Sequence, residues 1–89
     1  MDPGMLTSEL LQALGRAAGL PVGDVDSIVA LIHAGEWQLA LDTVCTQMYE
    51  FDLEVDDEQR SLLARLGRVL DVPVGYLLGD PWAPAPGEP

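Results

Sequence analysis

The side chains best suited to nucleophilic or acid–base chemistry near neutral pH are the single histidine, His33, and the single cysteine, Cys45. A thiolate–imidazole pair needs the ring within hydrogen-bond reach of the sulfur. Here the two lie twelve positions apart in sequence, with a helix break at Ala34-Gly35 between them. Cys45 falls among apolar residues at helical spacing, the setting of a small buried hydrophobe rather than of a nucleophile. His33 reads as a helix-terminal surface residue. The sequence predicts no catalytic residues, and the chain is expected not to be an enzyme.

Carboxylates are the other candidates, because six of the nine residues from Glu50 to Glu58 are acidic: Glu50, Asp52, Glu54, Asp56, Asp57 and Glu58. A calcium loop would carry the D-x-[DN]-x-[DN]-G-x5-E order, with its glycine at the sharp turn. This stretch has neither, and no glycine-rich phosphate loop occurs elsewhere, so no metal and no cofactor are expected. Phe51, Leu53 and Val55 interleave with the acids. Carboxylates around apolar anchors suit a cationic pocket on another protein, where desolvated charge pairs can contribute ~2–7 kcal/mol. Glu36 and Asp42, with Trp37 as a further anchor, extend the candidate surface toward the N-terminus.

Composition points the same way. Among 89 residues there are fifteen Asp and Glu against four Arg and no Lys, a formal net charge of −11 and a pI near 4.1. Such a surface repels nucleic-acid phosphates and anionic lipid, and it raises the arrival rate of basic partners by ~10–1000-fold at low salt. The expected partner is therefore a cationic protein, with no direct nucleic acid and no membrane, and the free chain is expected to be a monomer or weak dimer. A hydrophobic fraction of 48% is enough for a core, and the length predicts one domain. One cysteine makes no internal disulfide. No apolar run approaches the ~20 residues of a membrane span, and Met1-Asp2-Pro3-Gly4-Met5 does not resemble a secretion leader. A cytoplasmic protein is expected.

The elements that position these residues are all helical. A flexible N-terminus is expected over 1–6, a helical domain over 7–80 and a Pro-rich flexible tail over 81–89, with Trp82 packing back on the domain. Helix 1 is predicted over Ser8–Ala18, with Thr7 as N-cap, Glu9 favouring the start of the dipole and Gly19 as the stop. Helix 2 begins near Asp24 or Asp26, ends at Gly35 and, being the most apolar segment, is expected to lie centrally. Helix 3 follows from about Glu36 to Tyr49 or Glu50. Its Trp37, Leu41, Val44, Met48 and Phe51 recur at offsets that keep to one side of a 3.6-residue helix. Helix 4 is capped by Asp56 or Asp57 and runs to Leu70 with Leu62, Leu63, Leu66, Val69 and Leu70 inward; Arg65 and Arg68 suit its C-terminal end. After Val72-Pro73, a turn over Val74–Leu78 covers the end of the bundle. The fold class is all-α, a small four-helix bundle with a short extra C-terminal helical turn.

The run from Gly35 to Val55, G-E-W-Q-L-A-L-D-T-V-C-T-Q-M-Y-E-F-D-L-E-V, resembles the central motif of MafI-type immunity proteins. The matching features are Gly35-Glu36 before an aromatic, Leu39-Ala40-Leu41 followed by an acid, Cys45, and Tyr49-Glu50 with an acid two places on. Trp37 stands where a tyrosine is more usual, and the resemblance spans about residues 28–78. It implies a small helical bacterial protein that neutralises a cognate toxin of a polymorphic or contact-dependent system, often a nuclease, by binding it. A second stretch, Leu62 to Asp80, resembles the end of a repressor-type helix-turn-helix domain. Residues 24–34 carry no Arg, Lys, Asn or Gln to meet DNA. That resemblance therefore implies, as the alternative, an acidic interaction or regulatory module on such a scaffold.

Overall fold

The computed structural model describes residues 2–79, so the expectations for the tail over 81–89 and for Trp82 lie outside them. Within that range the chain forms α1 (Pro3–Arg16), α2 (Val22–His33), α3 (Trp37–Glu50), α4 (Asp57–Leu70) and the single turn α5 (Gly75–Leu78), with no strand among the described residues. The all-α bundle of four helices plus a short fifth is as the periodicity predicts.

The ends of α1 differ from expectation. Asp2, not Thr7, is the N-cap, its carboxylate accepting the Gly4 N–H at 3.0 Å, and Pro3 occupies the first helical position, where a missing N–H costs nothing. Residues 3–6 are therefore helical rather than flexible, and Leu6 joins the core. The earlier start places Glu9 in mid-helix, where it pairs with Arg65 of α4 instead of serving the dipole. Helix α2 likewise begins before either aspartate, at Val22, with Pro21 at the cap position and no side-chain cap.

Helix α3, not α2, is central. It packs on α1, α2, α4 and α5, whereas α2 touches only α1 and α3. The reason is amphipathicity. Apolar residues surround α2, yet only Ile28 and Ile32 find a neighbour that buries them, and Val22 is left 77% exposed. On α3, Ala40, Leu41, Val44, Cys45 and Met48 form one stripe and are all within 1% of complete burial. Leu10 of α1 and Leu63 and Leu66 of α4 close the same core. Val69, expected inward, is 43% exposed, because it faces an open depression beside Trp37 at the end of α4.

A helix leaves its last carbonyls without internal partners, and here two glutamine amides from neighbouring helices meet that need. Gln59, in the first turn of α4 and almost completely buried, donates to the Ala13 carbonyl near the end of α1 at 2.9 Å. Gln38, in the first turn of α3, donates to the Leu70 carbonyl at the end of α4 at 2.6 Å. The chain reversals after α2, α3 and α4 share one further device. After α2, Glu36 N–H returns to Leu31 O and Gly35 N–H to Ile32 O, with Gly35 at φ +79°. After α3, Leu53 N–H returns to Met48 O with Asp52 at φ 53°; after α4, Val72 N–H returns to Gly67 O with Asp71 at φ 56°. Glycine fits that left-handed position without cost. Aspartate stands in it twice.

Candidate partner-binding surface

The acidic stretch splits in two on the structure. Asp56 is the N-cap of α4, accepting the Gln59 N–H at 2.8 Å, and its other carboxylate oxygen lies 3.8 Å from the Arg16 guanidinium. Glu58 pairs with the same arginine. Asp57 stands in the first turn of α4, where negative charge suits the positive end of the helix. Asp56 and Glu58 thus meet Arg16 across the α1–α4 seam and Asp57 suits the α4 dipole, so these three candidates, though exposed, have local roles in the fold. Exposed pairs of this kind contribute only ~0–1 kcal/mol each, but they spend the local charge at home.

Glu50, Asp52 and Glu54 behave differently. All three are exposed, and none has an ion pair or side-chain hydrogen bond among the described residues. The connector alternates. Leu53 and Val55 turn inward and pack against the core, while Asp52 and Glu54 face solvent. Leu53 reaches the turn after α1, and a Cβ added at Gly19 would meet it at 3.2 Å. That contact and the Met48 carbonyl hold the connector in place.

Of the apolar anchors, Phe51 is 48% exposed, since α3 ends one residue before it and the chain turns away from the core face its spacing suggested. Tyr49 beside it is 47% exposed and rests edge-on against Tyr76 of α5, with ring centroids 5.4 Å apart. Leu53 and Val55 are core-flanking residues. Trp37 is as well: its ring packs on the core and its indole N–H is buried without a partner. The exposed apolar residue of that half of α3 is Leu39, which the sequence reading passed over because it stands off the buried stripe.

Glu36 and Asp42 remain exposed at the N-terminal half of α3, on the wall of a shallow groove completed by Asp71, Val72 and Pro73. Asp71 was not anticipated. Its position directly after the last apolar residue of α4 was the available signal. Along α3, the unpaired carboxylates form two groups at its opposite ends, one around Glu50–Glu54 and one around Glu36–Asp42.

Cys45 is fully buried, and burial, helped by the nearby Asp42 charge, pushes its thiol up to about 12. A thiol so placed is protonated at neutral pH and poorly reactive. His33 is exposed in the last turn of α2. Burial also drives the Tyr76 hydroxyl up to about 12. Thr46 pulls it the other way, yet no hydrogen bond of acceptable geometry joins the two. Among the described residues, no three His, Cys, Asp or Glu side chains gather as metal ligands would, and no helix is long and apolar enough to cross a membrane.

Comparison of the chain with protein-family models, with curated proteins and with solved structures gave no match in any of the three.

Proposed function

We propose that this chain is an immunity protein that binds a cationic toxin domain stoichiometrically and neutralises it, acting from the cytoplasm of the producing cell. The observation that carries the reading is the group Glu50, Asp52 and Glu54, which has no cation of its own and borders two half-exposed aromatic rings, Tyr49 and Phe51. The same residues close the Gly35–Val55 run that resembles MafI-type immunity proteins. Carboxylates flanking aromatic anchors fit the substrate groove of a nuclease, which is basic because it must hold phosphates. Occupying that groove excludes the nucleic acid. The reading rests on this chain's own residues and on that resemblance.

Co-expression with the toxin domain encoded beside the gene tests it. The protein is expected to rescue growth and to form a one-to-one complex whose affinity falls at least ~10-fold, or about 1.4 kcal/mol, in Glu50→Lys/Asp52→Lys while the melting temperature does not fall. Failure to rescue and to bind would overturn the reading. The alternative, an acidic regulatory module on a helix-turn-helix-like scaffold, predicts instead a basic partner unrelated to any toxin.

A further inference from the structure

At the other end of α3 lies the shallow groove between that helix and the link from α4 to α5. On α3, Glu36, Leu39 and Asp42 recur every three residues along one wall. At 1.5 Å of rise per residue, the two carboxylates stand about 9 Å apart along the axis with Leu39 between them. The facing wall is Asp71, Val72 and Pro73. Leu39 is 51% exposed, a large apolar side chain with acids on either side of it.

The groove is built firmly. Gln38 bonds the Leu70 carbonyl and so ties the α3 wall to the end of α4. The link is pressed onto α4 so closely that a Cβ at Gly67 would meet the Val72 carbonyl oxygen at 2.9 Å, and the Val72 N–H closes on the Gly67 carbonyl at 2.9 Å. No arginine lines the groove. Arg68 lies in a neighbouring depression behind Asp71 and makes no ion pair within 4 Å among the described residues.

We propose that this groove docks an amphipathic, arginine-bearing helix of a partner protein, with an apolar side chain beside Leu39 and Pro73 and cations meeting Glu36, Asp42 and Asp71. Charge selects that occupant. A second copy docked groove to groove would set the same three carboxylates against one another. Residues 80–89 of the chain itself carry Asp80 and Glu88 and no cation. Nucleic acid is repelled outright. An amphipathic helix laid in a groove presents anchors at i, i+3 or i+4, and i+7, a spread of about 10 Å at 1.5 Å per residue that is comparable to the length of the acid–leucine–acid row. The inference is independent of the toxin reading, because it concerns a separate face.

The test uses the full chain and a synthetic fifteen-residue helical peptide with one Leu flanked by Arg one turn away on each side. A scrambled peptide of equal charge is the control. In amide NMR spectra the ordered peptide is expected to shift Leu39, Asp42, Asp71 and Val72 and to bind at least tenfold more tightly than the scrambled one. Leu39→Glu and Asp71→Asn should each weaken it about tenfold or more with unchanged melting, whereas Asp26→Asn, an equal charge change on α2, should alter it less than twofold. Equal binding of the scrambled peptide, shifts confined to residues around Glu50 and Asp52, or self-association through Leu39 would each overturn the proposal. Because the probe is a synthetic peptide, its failure leaves the toxin experiment unaffected, and failure of rescue leaves this groove intact.

Discussion

At the α1–α4 seam, carboxylates are met within the molecule: Glu9 by Arg65, Glu58 by Arg16, and Asp56 by both Arg16 and the Gln59 N–H. Along α3 the opposite holds, and Glu36, Asp42, Glu50, Asp52 and Glu54 have no such partner among the described residues. Of the four arginines of this strongly acidic chain, Arg16 and Arg65 serve that seam, whereas Arg60 donates to the Leu78 carbonyl of α5 and Arg68 makes no ion pair among the described residues. The difference separates acids whose charge is met within the fold from acids whose charge is left unmet among the described residues.

The largest expected effect comes from cutting the seam's buried polar link. Gln59→Leu leaves the Ala13 carbonyl without its donor, at ~1–3 kcal/mol for a buried unsatisfied group, partly offset because it also removes the Gln59 Oε1, which is buried without a partner; the net loss is read as a lower urea midpoint with an unchanged slope. Next come two aspartate substitutions with opposite signs. Asp56→Ala removes the N-cap of α4 and should cost ~0.5–2 kcal/mol. Asp52→Gly relieves a left-handed backbone and lifts a negative charge from the negative end of α3, and should add ~0.5–1 kcal/mol. Thermal melts at neutral pH and low salt decide between them. If Asp52→Gly destabilised as Asp56→Ala does, the division of roles would fail.

The smallest effect at neutral pH grows with alkali. In the folded chain Cys45 holds its proton to about 12, against an ordinary value of 9.0. Its folded value is raised, so the stability it contributes is fully present below pH 9 and is lost as pH climbs from 9 toward 12. Tyr76 adds to the same decline from its ordinary 10.0 upward. Denaturation midpoints taken from pH 7 to 11 should fall, and Cys45→Ala should shallow the part of that fall that begins near pH 9. An identical slope in the variant would remove the thiol from the account.

Helix number, the extent of α4 and the core face of α3 were legible in the sequence because each rests on a repeat of apolar residues that only one geometry buries. Leu62, Leu63, Leu66 and Leu70 leave α4 little choice. Helix ends were less legible. Pro3 and Asp2 outweighed Thr7, and aspartates at Asp52 and Asp71 took a place that glycine usually marks. Centrality was misread because total hydrophobicity, high in α2, does not decide burial; a contiguous stripe does, and α3 has it. Within the candidate surface, the sequence located the acids but could not pair them. Arg16 stands forty-two residues from Glu58, and Glu9 fifty-six from Arg65, separations that no local pattern reports.

Cys45 gives the bundle a timepiece. Because the sulfur is sealed inside the helix that every other helix touches, a thiol reagent can reach it only through an opened molecule, so the speed of labelling measures how often the structure opens. Any ligand that engages only the closed form slows that labelling in proportion to its occupancy. The chain thus carries its own reporter for a bound partner, read at a residue that the partner never touches.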